Sequence, residues 1–322
     1  MKRMKTLIGK HLPAALAGIA MLLCGCGQDT GMPDKPGSVP LGVGSLRLEA
    51  MPVTRAGGTP VTTDGAAIRV FLTGSGGYRP VSDKTYTCTS GTWSSADPIY
   101  VDSRTGKAVG VYDPHGLVSF GNSTVTTNVL QAQAYAENKL WYYDNTSGAA
   151  VNNVSSPVAF SMKCAYARLK FTISRNASYP AVCKVSRIVI SPSSGDFYTA
   201  AQVDIADGSI TGTPAATYII DTSSLPMNTT GIAAGTADTS VDRLFPAQKL
   251  EASAGLTFRL SVDGAEYLVT VPAATFNEIK AGVQYTVGLE MSAQGMAGIR
   301  VTGVTTEDWG PGADIGPLVP LP

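Results

Sequence analysis

Alternating apolar and polar residues dominate the chain from about residue 45 onward and predict β-strands rather than helices. In the clearest run, between residues 158 and 175, the apolar residues keep one parity up to Tyr166 and take the other from Ala167. A period of two that changes parity in mid-run indicates either a β-bulge or a strand that passes from one sheet to another. No run has a convincing amphipathic helical pattern, so the sequence predicts an all-β protein.

Two Asp-Gly pairs stand between alternating runs and predict β-hairpins. Asp207-Gly208 follows one run, and Asp263-Gly264 separates residues 258–262 from residues 267–271. In the second case the apolar residues of the two arms match across a type I′ turn, so both arms can face one core.

Further strands define the domain organisation. They are predicted at residues 45–50, 68–73, 85–90, 99–102, 108–112, 283–291 and 299–304. Residues 125–135 are ambiguous between a strand and a short helix. We place a domain boundary near Ser156-Pro157, which predicts two tandem β-sandwich domains at residues 56–157 and 158–322.

The first 25 residues have the features of a bacterial lipoprotein signal peptide. A positive start is followed by an apolar stretch from Leu12 to Leu23, and Cys26 then follows a small residue, as acylation requires. Residues 1–25 are therefore predicted to be removed and Cys26 to carry lipid, with ordinary cleavage and free release as the alternative. Gly27 to Gly44 is rich in Gly and Pro and is predicted to be a flexible tether, so residues 26–55 form a lipidated tether and first strand.

The charge composition of the chain excludes one class of function. Charged residues make up 15% of the chain, against about 25% in typical soluble proteins. Lys and Arg (24) balance Asp and Glu (24), and loss of the leader would remove four basic residues to leave 20 against 24. Without a basic field, nucleic-acid binding is excluded.

The histidines argue against most kinds of catalysis. There are two, and since His11 lies in the leader, any triad or histidine-rich metal site would depend on His115 alone. Asp204 and Asp207 near a glycine are better explained by a hairpin turn than by calcium binding. We expect no enzyme activity, no catalytic residue, no metal and no cofactor.

Three cysteines remain after the leader and Cys26. They are Cys88, Cys164 and Cys183. An odd number cannot all pair; Cys164 and Cys183 bridging adjacent strands and single buried thiols are equally compatible with the sequence.

Several short motifs resemble the fimbrillin family of type V pilus subunits. They are Thr54-Arg55-Ala56 after the lipobox, Arg69-Val70-Phe71-Leu72, Gly77-Tyr78-Arg79-Pro80, Gly91-Thr92-Trp93, the run from Cys164 to Leu169, and the closing runs 276–287 and 299–309. The resemblance implies two β-sandwiches with the transthyretin-like, Greek-key architecture of these pilins.

The resemblance also implies how such a subunit assembles. Fimbrillins are exported as outer-membrane lipoproteins and cut after an arginine by a trypsin-like protease. The cut releases the first strand, and a strand from the C-terminal region of another subunit fills the groove. Here Arg55 and Ala56 match the cut, and Leu46, Leu48 and Ala50 match the removable strand. The candidate anchors in the C-terminal tail are Ile315, Leu318, Val319 and Leu321. Four prolines after Trp309 make this tail a poor donor strand.

One alternative function rests on aromatic residues. Trp141, Tyr142 and Tyr143 are candidates for a sugar-stacking platform on a lipid-anchored glycan-binding protein that does not polymerise. The expected partners are thus other pilus subunits, outer-membrane lipid through Cys26, a trypsin-like protease, and host glycans or proteins at the cell surface.

Overall fold

A computed structural model describes residues 37–49, 58–115, 127–135, 140–144, 148–251, 255–293 and 299–308. Strands account for most of these residues, and the one α-helix among them is the single turn α1 (Pro226–Thr229). The predicted all-β class is confirmed.

The first half of the chain supplies thirteen strands. They are β1 (Val39–Pro40), β2 (Val43–Leu48), β3 (Thr59–Pro60), β4 (Ala67–Leu72), β5 (Val81–Thr89), β6 (Thr92–Ser94), β7 (Tyr100–Val101), β8 (Gly106–Tyr112), β9 (Thr127–Gln131), β10 (Gln133–Ala134), β11 (Tyr142–Tyr143), β12 (Ala149–Val151) and β13 (Val158–Cys164). Nine of them form one sheet, in the order β3-β2-β13-β11-β8-β4-β5-β6 with β12 also paired to β8. Most neighbours in this sheet are antiparallel, but β2 runs parallel to β13.

The second half supplies the remaining strands. They are β14 (Tyr166–Arg175), β15 (Val185–Pro192), β16 (Phe197–Asp204), β17 (Ile210–Ala215), β18 (Tyr218–Asp221), β19 (Ala237–Asp238), β20 (Asp242–Pro246), β21 (Gln248–Lys249), β22 (Leu256–Val262), β23 (Ala265–Val271), β24 (Glu278–Ile279), β25 (Val283–Met291) and β26 (Ile299–Asp308). The two principal sheets are β10-β20-β14-β25-β26, which β19 also joins, and β18-β15-β22-β23.

The parity change at Tyr166 marks the passage between the two halves. β13 belongs to the nine-stranded sheet and β14 to the second half, with Ala165 between them donating its N–H to the Trp141 carbonyl at 3.0 Å. Of the two explanations left open by the sequence, a strand that changes sheets is therefore the one observed.

The two hydrophobic cores divide at the same place. The first core contains the buried residues up to Tyr166 together with Ala201, Val203, Ile205 and Leu244 from later in the chain, and the second core begins at Ala167. The boundary predicted at Ser156-Pro157 lies before β13, whereas the cores divide after β13. The strand β13 pairs with β2, and the apolar residues of β13 pack in the first core. Turn residues mark a loop, but they do not reveal which sheet the next strand joins.

Residues 127–134 also cross the predicted boundary. β9 pairs with β16, and β10 pairs with β20, so this segment forms strands with the second half of the chain. The described part of the ambiguous run 125–135 is thus mainly β-strand. The third sheet, β17-β16-β9, places Ala201 and Val203 in the first core and Phe197 in the second.

Both predicted hairpins are confirmed. β16 and β17 are joined through Asp207-Gly208, and β22 and β23 through Asp263-Gly264. Asp263 and Gly264 have φ values of 49° and 83°, as a type I′ turn requires. The Asp263 carboxylate also accepts hydrogen bonds from the Cys183 N–H (2.8 Å) and the Tyr179 hydroxyl (3.1 Å), which ties the turn to the loop before β15.

A buried ion pair lies where the two halves meet. The Arg168 side chain is 4% exposed and lies 2.6 Å from the Asp242 carboxylate, while its guanidinium stacks 3.7 Å from the centre of the Tyr135 ring. Because a buried charge is tolerated only when it is paired, these contacts fix β14 against β20 and the segment carrying Tyr135.

Candidate functional site

The strand β2 lies inside the nine-stranded sheet. It pairs in parallel with β13, from Val43 opposite Val158 to Leu48 opposite Met162, and its other side meets the two residues of β3. We define residues 39–48 as the first-strand segment, and the space they occupy as the first-strand groove.

Four apolar side chains of the first-strand segment fill the first core. Leu41, Val43, Leu46 and Leu48 are all buried, with exposed fractions between 1% and 9%. Leu46 and Leu48, which the resemblance matches to the removable strand, are thus both residues of the first core. Ala50, the third residue predicted for this strand, lies outside the described residues.

The buried residues change parity within the segment. Leu41 and Val43 are odd-numbered, whereas Leu46 and Leu48 are even-numbered, and the register with β13 shifts between Val43 and Ser45. Gly44 is therefore the extra residue of a β-bulge. The flexible tether predicted up to Gly44 is wrong for residues 37–44, because they include β1, the start of β2 and two buried apolar side chains.

Buried polar groups hold the backbone of Leu41. Its N–H donates to the Ile99 carbonyl at 2.7 Å, and its carbonyl accepts from the Tyr86 hydroxyl at 3.0 Å. The same hydroxyl accepts from the Ile99 N–H at 3.1 Å, and burial raises the pKa of Tyr86 to about 12. Tyr86 therefore binds the segment through main-chain atoms, so the contact does not depend on the segment's side chains.

Ser156 makes a second main-chain contact. Its hydroxyl accepts from the Gly42 N–H at 2.8 Å and donates to the Pro40 carbonyl at 3.3 Å. Next to it, the Val158 N–H donates to the Gly42 carbonyl at 2.8 Å. The loop before β13 thus forms hydrogen bonds with main-chain atoms of the first-strand segment, just before the bulge.

The far end of the segment leads towards the predicted cleavage site. Glu49 donates its N–H to the Met162 carbonyl at 2.8 Å, and the description of the chain resumes at Gly58. Arg55 and Ala56 belong to the intervening residues 50–57, outside the described residues. Cys26 and the tail residues Ile315, Leu318, Val319 and Leu321 also lie outside them.

The aromatic residues proposed for sugar stacking lie in the first core. Trp141, Tyr142 and Tyr143 are between 2% and 5% exposed, and the rings of Trp141 and Tyr143 are 5.8 Å apart. Rings this deeply buried leave no open face for a sugar, so they do not form the platform. Three consecutive aromatic residues have no alternation that would distinguish a buried from an exposed face, so the sequence alone does not reveal that all three lie in the core.

The three cysteines among the described residues are free and buried. Cys88 and Cys164 lie in the first core and Cys183 in the second, so Cys164 and Cys183 do not pair. Burial raises the pKa of Cys164 to about 12 and that of Cys183 to about 11. Thiols in these surroundings are unreactive core residues.

Other kinds of site find little support in the part of the chain that the structure describes. There, no three His, Cys, Asp or Glu side chains are grouped so that they could hold a metal ion. Asp113 accepts a hydrogen bond from the His115 backbone N–H at 3.1 Å, as in a surface turn. Within the same residues, no helix has both the length and the apolar character to cross a membrane.

Comparison with known proteins identifies the family. A family model described as fimbrillin-like matches residues 54–309, which include most of both cores. The chain belongs to the fimbrillin-like family. The match begins immediately downstream of the described first-strand segment, and the family assignment made from short motifs is confirmed.

Solved structures agree with the fimbrillin-like fold. A fimbrial protein from Bacteroides vulgatus ATCC 8482 is similar with a TM-score of 0.54 at 13% identity, over 84% of this chain and 99% of that chain. A Bacteroides uniformis ATCC 8492 protein assigned to cell adhesion gives a TM-score of 0.52 at 16% identity, over 84% and 99% of the two chains. At these identities the likeness establishes the fold. No curated protein matches the chain at a significant level.

The residues that sequence reasoning missed are Leu41, Val43, Tyr86 and Ser156. Leu41 and Val43 do alternate with glycines, but the parity break at Gly44 separates them from the recognised run Leu46 to Ala50. Tyr86 and Ser156 act through contacts that are distant in sequence and leave no local signal.

Proposed function

We propose that this fimbrillin-like protein is a structural or adhesive subunit of a cell-surface fimbria. It is exported as an outer-membrane lipoprotein acylated on Cys26, cut after Arg55, and assembled by donor-strand exchange. Its partners are other pilus subunits, with outer-membrane lipid and a trypsin-like protease acting before assembly.

The position of the first-strand segment carries this proposal. The segment precedes Arg55 in sequence, and it enters the sheet as a separate strand that is parallel to β13. A cut after Arg55 would leave it attached to the rest of the protein by non-covalent contacts alone. Its release would uncover the main-chain groups of β13 and the pockets of four apolar side chains.

Such a groove has a strong tendency to take up another strand. Burying a Leu or Val side chain contributes about 1.5–3 kcal/mol, so the four pockets together represent about 6–12 kcal/mol of burial that release would forfeit. The uncovered edge also presents unpaired N–H and C=O groups, which act as a template for a new strand. The groove of the cut protein therefore offers a donor strand both apolar pockets and main-chain hydrogen-bonding partners.

The lipid anchor and the protease would act in turn before assembly. Acylation at Cys26 would keep the uncut chain at the outer membrane, and cleavage after Arg55 would free the folded body from the lipid. The uncut protein already has its groove filled, so we expect it to be monomeric and assembly to depend on cleavage.

Limited proteolysis tests the proposal. The full chain and an Arg55→Ala variant are treated with trypsin, the products are identified by mass spectrometry, and their size is followed by light scattering. We expect the full chain to yield a product that begins at Ala56 and forms higher oligomers, while the variant stays intact at this site and monomeric. If the Ala56 product forms and remains monomeric after the segment is removed, cleavage-dependent assembly is wrong.

A further inference from the structure

Two glycines of the first-strand segment face the ring of Pro157. A β-carbon built on Gly42 would lie 3.0 Å from the Pro157 Cβ, and one built on Gly44 would lie 3.3 Å from its Cγ. Contacts this short are tighter than ordinary van der Waals packing, so a side chain at either position requires the Pro157 ring to give by a few tenths of an ångström.

The backbone on both sides of Pro157 is held in place. Ser156 bonds to Pro40 and Gly42, and Val158 bonds to Gly42 and continues into the parallel pairing of β13 with β2. Displacement of the ring would therefore disturb the same hydrogen bonds that bind the segment.

The groove thus specifies a sequence pattern for its occupant. The positions of Leu41, Val43, Leu46 and Leu48 face apolar pockets, while those of Gly42 and Gly44 face Pro157. A matching strand has glycine at two alternate positions, apolar residues flanking the first glycine, and apolar residues two and four places after the second.

The chain's own C-terminal tail does not meet this pattern when its glycines are aligned. Gly310 and Gly312 can take the places of Gly42 and Gly44, but Asp314 then falls at the Leu46 position and Gly316 at the Leu48 position. A carboxylate at the Leu46 position, which is 1% exposed and lies in the first hydrophobic core, would lose its hydration among apolar side chains.

Aligning the apolar residues of the tail fails for another reason. When Val319 and Leu321 take the places of Leu46 and Leu48, Ile315 and Pro317 fall opposite Pro157. In this second register Asp314 and Gly316 also fall at the Leu41 and Val43 positions, so neither alignment combines glycine opposite Pro157 with apolar residues in all four pockets.

We propose that Pro157 is a specificity-determining residue of the first-strand groove, and that the groove takes its donor strand from a different pilin-type chain that has this glycine pattern, rather than from the tail of another copy of this protein. The choice of partner rests on the proposed function. The steric role of Pro157 is independent of the proposed function, because Pro157 already contacts the first-strand segment of the uncut chain.

The steric role is tested first, in the uncut full chain. Thermal unfolding is followed by tryptophan fluorescence for three variants: Gly44→Val, Pro157→Ala and the double variant. The matched control is Arg47→Val, on the exposed face of the same strand. We expect Gly44→Val to lower the melting temperature by several degrees, Pro157→Ala to restore most of the loss, and Arg47→Val to have little effect. Equal losses from Gly44→Val in the presence and absence of Pro157 would overturn this role.

The choice of partner is tested with peptides on trypsin-cut protein. A labelled peptide of residues 38–49 is compared with a tail peptide of residues 309–322 and with that tail peptide carrying Asp314→Leu and Gly316→Leu. We expect the tail peptide to bind at least about 100-fold more weakly than the segment peptide, and the double substitution to recover most of that loss.

The outcomes separate the two proposals. Binding of the unmodified tail peptide as tightly as the segment peptide would overturn the choice of partner and leave donor-strand exchange in place. If even the segment peptide cannot enter the cut protein, the proposed function fails, and with it the choice of partner, whereas the variants of the uncut chain still decide the role of Pro157.

Discussion

Replacement of Leu46 by Ala tests how firmly the first-strand segment is held. The substitution removes three carbons from a side chain that is 1% exposed. At about 0.8 kcal/mol for each buried carbon, the transfer contribution alone is about 2.4 kcal/mol, and a residual cavity raises the total to about 2–5 kcal/mol. We therefore expect the first core of the full chain to lose about 2–5 kcal/mol of unfolding free energy.

Two of the three tryptophans report on the first core. The chain has three tryptophans, of which Trp93 and Trp141 lie in the first core and Trp309 lies outside the described residues. Guanidinium titration followed at the tryptophan emission gives the unfolding free energy, with far-UV circular dichroism to show whether the second core unfolds separately.

The control is Arg47→Ala, one residue away on the exposed face of the same strand. We expect it to change stability by no more than about 0.5 kcal/mol. After cleavage at Arg55, the same 2–5 kcal/mol should weaken retention of the Leu46→Ala segment by roughly 30- to 5,000-fold. A loss below about 1 kcal/mol in the uncut chain, or a loss equal to that of Arg47→Ala, would refute the view that this side chain anchors the segment.

Two further predictions concern buried polar groups. Tyr86→Phe should cost about 1–3 kcal/mol in guanidinium titration, because the Leu41 carbonyl and the Ile99 N–H both lose their hydroxyl partner. Because the folded-state pKa of Tyr86 is raised to about 12 from 10.0, the first core should lose stability as the pH rises from 10 to 12, and less steeply in the Phe variant; identical pH profiles would contradict this. Peptide mapping after alkylation without reductant should find Cys88, Cys164 and Cys183 unmodified in the native protein and fully modified after denaturation, whereas a Cys164–Cys183 peptide pair would show a disulfide that the structure lacks.

Much of the second half could be predicted because its signals are local. The hairpin β22–β23 follows from an Asp-Gly turn and from matched apolar residues on its two arms. The passage from β13 to β14 follows from one parity change in a continuous run. In both cases the information lies within about 20 residues of sequence, where side-chain periodicity and turn chemistry act directly.

The first-strand groove was only partly predictable because its information is spread over the chain. The strand itself is visible as Leu46 and Leu48, but the bulge at Gly44 breaks the alternation and hides Leu41 and Val43. Its polar contacts come from residues 45 and 114 positions away, namely Tyr86 and Ser156. Pairings at such separations depend on the completed fold.

The amino-acid composition of the first-strand segment also made this strand hard to predict from the sequence. Glycine and proline before residue 45 are typical of a flexible linker, so the sequence predicts a tether there. In the structure, a β-carbon at Gly42 or Gly44 would instead press against the Pro157 ring, and Pro40 ends the short β1 strand. The same residue types therefore serve a close backbone contact, which composition alone does not distinguish from flexibility.

The topology explains why this strand, rather than another, suits exchange. Antiparallel neighbours such as β22 and β23 are joined by tight turns, so removal of one strand would require two cuts in the chain. The first-strand segment pairs in parallel with β13, which follows more than 100 residues later, and no hairpin connects the two. A single cut between residues 50 and 57 therefore separates the whole strand from the folded body. The principal hydrogen-bonded edge left behind belongs to β13, which stays fixed because it continues through Ala165 into β14 and the second core. We therefore expect the groove wall formed by β13 to stay in place after the segment leaves, which would lower the conformational cost of accepting a new strand.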